Sequence, residues 1–126
     1  MMFNRIKTFL IIGLILGCLD IFYLSQISEF FKKTMKNIQK SEFNIRYIPA
    51  LICYFFLILS IQYFIIYKNG SLADSFILGM CIYSVFELTN YATIKKWPIV
   101  LVIMDSLWGG LLFLITTFIY LKFFNI

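Results

Sequence analysis

Residues 99–123 read IVLVIMDSLWGGLLFLITTFIYLKF, an apolar run in which Asp105 is the only acid. A helix that crosses a bilayer needs about 20 predominantly apolar residues. Lipid offers no partner for an N–H or C=O, so the run must close its own hydrogen bonds and be helical. Working outward, three more runs of the same kind appear: Leu72–Thr93, Tyr47–Tyr67 and Thr8–Ile27. Lys68-Asn69-Gly70-Ser71 joins the second run to the third, and Ile94-Lys95-Lys96-Trp97-Pro98 joins the third to the fourth. Such short links make antiparallel neighbours. The expected fold is all-α, an integral membrane four-helix up-down bundle filling residues 1–126 as one domain, with Pro49 and Pro98 near helix starts, where a missing N–H costs little.

Composition agrees. The chain is 62% hydrophobic and 13% charged, against roughly 45–50% and about 25% in soluble domains. A net charge of +5 invites a nucleic-acid reading. The basic residues, however, form no single face; they lie between the apolar runs, where anionic head groups would meet them. The expected partner is a lipid bilayer and not nucleic acid. The expected compartment is a cell's inner or plasma membrane, or a host membrane if the coding genome is viral. The chain has no histidine, which removes His-based zinc sites and Ser-His-Asp triads. Cys18, Cys53 and Cys81 fall one to a run with no C-x-x-C; they read as small buried hydrophobes rather than a disulfide framework.

Between the first two runs, Ser28–Arg46 interleaves Phe30, Phe31, Met35, Ile38 and Phe43 with Lys32, Lys33, Lys36, Lys40 and Arg46. This pattern fits a basic amphipathic helix lying in the head-group plane, or else a solvated loop. Arg5 and Lys7 before the first run resemble a signal-peptide start, and Ile15-Leu16-Gly17-Cys18 a lipoprotein cleavage box. The apolar run continues well past Cys18, so a retained helix is expected. Seven Lys and Arg flank the long first link and the third link, against four on the other side. The positive-inside tendency then turns the long link to the cytoplasm and both termini outward.

Three of the six acids, Asp20, Glu87 and Asp105, lie inside apolar runs. A charge at a helix centre costs about 2.5–3.5 kcal/mol on insertion scales, so such residues usually face the bundle interior and serve a function. Counted from the run ends at 1.5 Å per residue, all three lie roughly 9–10 Å below the same lysine-rich surface. On the first helix, Gly13, Gly17, Asp20 and Leu24 share a face, and Gly13-x-x-x-Gly17 lets another backbone approach closely. Gly79, Tyr83, Glu87, Asn90 and Tyr91 align on the third, and Asp105, Trp108, Gly109, Leu112 and Thr116 on the fourth. The second can add Cys53 or Tyr54. The candidate polar cluster is therefore Asp20, Glu87, Asn90, Asp105 and Trp108, with Gly13, Gly17, Gly79 and Gly109 as packing positions.

At packed-helix spacing, three carboxylates repel by about 2 kcal/mol per pair at an effective dielectric constant of 20. With desolvation added, this rivals the cost of protonating one of them, about 4 kcal/mol at pH 7. A proton, a metal ion or a substrate ammonium is expected among Asp20, Glu87 and Asp105, which are also the metal-ligand candidates.

Leu19-Asp20 with Tyr23-Leu24, then Glu87-Leu88-Thr89-Asn90-Tyr91-Ala92-Thr93-Ile94-Lys95-Lys96-Trp97-Pro98, then Asp105-Ser106-Leu107-Trp108-Gly109 resemble the bacterial predicted-membrane-protein family catalogued as domain of unknown function 2177. Its pattern is approximately LD-x-x-[WY]-L, [YF]-D-L-T-N-x-A-T-[LI]-x-x-W-P and D-x-x-W-G. Glu87 stands where that pattern usually has Asp, carrying the carboxylate one methylene further. The resemblance implies the four-helix membrane fold and marks the same three acids; it implies no activity.

Two functions follow. In one, the acids bind a cation, a proton or a lipid head group for transport or membrane-embedded catalysis, with Asn90 as a neutral partner and Lys95 and Lys96 drawing in anionic head groups. No nucleophile or phosphate-binding motif points to a reaction, so no catalytic residue or cofactor is named. Four helices leave little room for a path through one protomer, so transport leans on a homo-oligomer, with Gly13-x-x-x-Gly17 as an available contact. In the other, the same residues hold together a non-catalytic scaffold or partner subunit.

Overall fold

A computed structural model describes residues 2–40 and 46–124, which form an all-helical bundle. Among these residues lie α1 (Met2–Gln39), α2 (Tyr47–Ile61), α3 (Leu72–Thr93) and α4 (Ile99–Phe123), with a π-helical turn, Gln62–Ile66, prolonging α2. All four spans are long and apolar enough to cross a membrane. Phe22, Leu51, Val85 and Ile103, one from each helix, are exposed on the outer surface, which suits lipid and not water.

The core is a narrow seam of Ile12 and Leu16 from α1, Ile58 and Ile61 from α2, and Leu112 and Phe113 from α4. Helices α3 and α4 form the tightest pair, because glycines let their backbones meet. A Cβ on Gly79 would lie 2.2 Å from the Gly109 carbonyl oxygen, and one on Gly109 would strike the Tyr83 ring. Ser75 strengthens the seam: its hydroxyl donates to the Phe113 carbonyl at 2.8 Å and lies 2.6 Å from the Thr117 hydroxyl. Gly13 meets Ile58 of α2, whereas a Cβ at Gly17 would enter open space. Gly79, Gly109 and Gly13 therefore sit at helix contacts and Gly17 does not.

Helix α1 packs on α4 and on α2, but α2 makes little contact with α3. The short link between them holds their ends together without closing the faces above. At that link Asn69 takes a left-handed φ of 54°, which Asn tolerates better than most residues. Ser71 then caps α3: its hydroxyl accepts from the Asp74 amide at 3.0 Å, while the Asp74 carboxylate accepts from the Ser71 amide at 2.9 Å. Pro49 lies in the first turn of α2 and Pro98 immediately before α4.

Two expectations are corrected. Helix α1 does not stop at Ile27; it runs for 38 residues, Met2–Gln39. At 1.5 Å per residue that is about 57 Å, nearly twice a hydrocarbon core of about 30 Å. Nothing between Gly17 and Gln39 breaks a helix, so the fall in hydropathy at Ser28 does not mark where it ends. The apolar side of this extension, Phe31, Met35 and Ile38, packs on Trp97, Leu101 and Val102 in a second small core, so protein covers it and not a head-group plane. Phe43 lies outside the described residues. The second correction concerns Cys18, Cys53 and Cys81, which are free thiols on the outer surface, not buried ones. A thiol is apolar enough to face lipid.

Candidate functional site

On α1, Asp20 and Tyr23 are three residues apart and share a face; on α4, Asp105 and Trp108 do the same. Because the two helices run in opposite directions, each acid meets the other helix's aromatic donor. Trp108 Nε1 donates to Asp20 Oδ1 at 3.0 Å, and the Tyr23 hydroxyl donates to Asp105 Oδ1 at 2.5 Å. Between the two bonds the Tyr23 and Trp108 rings stack, with centroids 4.6 Å apart and planes within 6°. Two D-x-x-aromatic turns thus brace each other reciprocally.

The network continues on both sides. The Tyr54 hydroxyl of α2 donates to Asp20 Oδ2. Glu87 of α3 is 1% exposed; its Oε1 accepts from Trp97 Nε1 at 2.8 Å, and its carboxyl lies beside that of Asp105. One line of contacts thus runs from Tyr54 through Asp20, Trp108 and Tyr23 to Asp105, with the Glu87–Trp97 bond beside its end, so that all four helices contribute. Every donor along it is neutral. All eleven Lys and Arg lie in sequence at or beyond the ends of the apolar runs.

The three acids do share a polar layer, but not as one ligand shell. Glu87 lies beside Asp105, while Asp20 is linked to Asp105 through the aromatic stack. Among the described residues no three His, Cys, Asp or Glu side chains form a group able to hold a metal ion. Asn90 is half-buried, and no side-chain hydrogen bond seen among the described residues ties it to the acids. Leu24 and Tyr91, aligned with the acids by sequence, face outward. Tyr54, offered by sequence as an addition from the second helix, does reach Asp20, whereas Tyr23 and Trp97 were missed as site residues. A buried carboxylate needs donors, and Tyr23 and Trp97 both stand in the motif stretches, three residues after Asp20 and ten after Glu87.

Beside Asp20, the gap between α2 and α3 forms a cleft of about 360 Å³, lined by Asp20, Cys53, Tyr54, Leu57, Tyr83 and Phe86. Asp20, 6% exposed, is its only carboxylate. The other walls are apolar or aromatic, and a gap between two spans opens sideways toward lipid.

Fold and site together define a four-span helical membrane protein with carboxylates held inside the membrane by aromatic donors. The chain belongs to the family described as Predicted membrane protein (DUF2177), which matches residues 5–121. No curated protein and no solved structure matches it.

Proposed function

We propose that the protein binds an amphiphilic cation within the membrane, with Asp20 taking the positive head and the α2–α3 cleft taking the apolar body. One observation carries this reading: Asp20 is the lone carboxyl in a cleft whose other walls are apolar or aromatic. Tyr54 and Trp108 fix its two oxygens in place but neutralise nothing, so a cation arriving from lipid would find an unpaired charge in a medium of low dielectric constant. The aromatic faces of Tyr54, Tyr83 and Phe86 suit an ammonium or phosphonium group. Glu87 and Asp105, lying side by side, would share a proton or cation, and Trp108 and Tyr23 connect Asp105 to Asp20. Binding is the step this geometry supports; transport or conversion of the ligand would follow from it.

The probe is tetraphenylphosphonium, measured by equilibrium dialysis on detergent-solubilised protein. The parent and a Glu29→Gln control should bind it, and Asp20→Asn should not. Equal binding by Asp20→Asn, or none by the parent, would overturn the reading. A second reading, a non-catalytic scaffold or partner subunit, is favoured by the reciprocal bracing of α1 and α4, in which each acid already has a donor on another helix or link.

A further inference from the structure

The opposite end of α1 carries a separate groove of about 390 Å³ between α1 and α2, lined by Arg5, Ile6, Phe9, Phe55, Gln62 and Tyr67 among others. Arg5 is 15 residues from Asp20 on the same helix, or roughly 22 Å at 1.5 Å per residue, so the two places are distinct. The groove's floor is apolar. Its lining includes one cation and two tyrosines: the Arg5 guanidinium lies 5.2 Å from the Tyr67 ring centroid, and Lys68, outside the lining, reaches the lining Tyr63 with its Nζ 4.8 Å from that ring centroid. No carboxylate lines it.

Gln62 supplies an independent sign of a missing partner. It is 5% exposed and opens the π-helical turn Gln62–Ile66. Its Nε2 donates to the Arg5 carbonyl at 3.1 Å and to the Tyr67 hydroxyl, but its Oε1 is buried with no hydrogen-bond partner. A buried amide oxygen left unpaired costs about 1–3 kcal/mol. Single π turns inside α-helices are frequently found at functional sites.

We infer that this groove binds an anionic phospholipid: one acyl chain lies against Phe9 and Phe55, the phosphate meets Arg5 and Lys68, and a head-group hydroxyl supplies the donor that Gln62 lacks. Charge selects the occupant. Arg5 and Lys68, at the end of two spans, stand at head-group depth, where Arg and Lys meet anionic lipid and tyrosines sit at the interface. A chain-shaped apolar floor below them fits a phospholipid better than a free phosphate, which would leave the floor empty.

Native mass spectrometry and thermal unfolding in a neutral detergent test this, with phosphatidylglycerol, phosphatidylcholine and inorganic phosphate as probes. Phosphatidylglycerol should remain bound and raise the melting temperature of the parent; phosphatidylcholine should do so weakly and phosphate not at all. Arg5→Gln should lower phosphatidylglycerol affinity about tenfold, the loss of one charged contact, while Lys7→Gln, a charge outside the groove lining, should not. Leu59→Trp, which fills the groove from its rim, should weaken both lipids and serves if Arg5→Gln folds poorly. Equal phosphatidylglycerol affinity in the parent, Arg5→Gln and Leu59→Trp would overturn the inference, as would protection of the parent by phosphate alone.

Discussion

At the scale of single residues, Trp108 does two things that substitution can separate. Its ring stacks on Tyr23, and its N–H donates to Asp20. Trp108→Phe keeps a ring for the stack and removes the donor. It should cost about 1.5–3 kcal/mol, as expected for a hydrogen bond to a charged group, whereas Trp108→Ala should cost more, through the lost stack. Chemical unfolding in detergent micelles reads both; a Trp108→Phe protein as stable as the parent would mean that the Asp20 bond contributes nothing, and equal costs for the two would mean that the stack does. The acids themselves separate the two functional readings. If they form a binding site, Asp20→Asn, Glu87→Gln and Asp105→Asn remove buried charge and should leave stability unchanged or raised. If they are structural acceptors, the same changes strand Tyr54, Trp97 or Tyr23 and should weaken the bundle. The acids were legible in the sequence because charge inside an apolar run is conspicuous. Of their donors, Trp108 and Tyr54 were legible from their place beside the acids, but Tyr23 and Trp97 were not, because 15 Phe, 8 Tyr and 2 Trp are spread along the chain, and an aromatic residue in a membrane helix needs no explanation. Nor could depth alone tell that Glu87 lies beside Asp105 while Asp20 stands apart: counting residues from a run end gives a level, not a direction around the bundle.

At the scale of helices, four glycines with the same reading from sequence divide by what they touch. A methyl group at Gly79 would lie 2.2 Å from the Gly109 carbonyl, and one at Gly109 would enter the Tyr83 ring, while Gly17 has open space. Gly79→Ala and Gly109→Ala should therefore push α3 from α4 and cost about 1–3 kcal/mol, the range for overpacking. Gly17→Ala should be neutral or stabilise by up to about 1 kcal/mol, since Ala is the better helix former. Ranking the three by unfolding midpoint tests this, and a destabilised Gly17→Ala would show that another helix occupies that space in the membrane. The same limit governs α1. Its hydropathy falls at Ser28, and a reading based on apolar runs divides the chain there. Helix breaking and hydropathy are different properties, and Ser28–Gln39 has no Gly or Pro. What keeps the extension in place is a long-range contact with Trp97 and Leu101, which no local pattern announces. Leu101 is fully buried, so Leu101→Ala should cost about 2–5 kcal/mol and loosen the end of α1, measurable as faster proteolysis at Lys32, Lys33 or Lys36.

For the whole molecule, the distribution of charge and the two clefts become one argument about orientation. An even number of spans returns both termini to one side. That side carries Arg5, Lys7, Lys68 and Lys122, and the other carries Lys32, Lys33, Lys36, Lys40, Arg46, Lys95 and Lys96. The positive-inside tendency would turn the second set to the cytoplasm, with the extension of α1 projecting on that side. In that orientation the carboxylate layer would lie nearer the cytoplasmic surface, and the groove at Arg5 would open at the outer one. The two would meet lipids of different leaflets, the α2–α3 cleft from the side and the α1–α2 groove at head-group depth. Single cysteines test this in a background where Cys18, Cys53 and Cys81, all surface thiols, are changed to Ala. Asn4→Cys and Ser71→Cys should react with an impermeant maleimide added outside intact cells, and Lys96→Cys should react only after the membrane is opened. Labelling of Lys96→Cys alone from outside would reverse the orientation and keep the fold. Labelling of Asn4→Cys together with Lys96→Cys, and not Ser71→Cys, would mean that α1 returns to the side from which it started, and four crossings would no longer describe the chain.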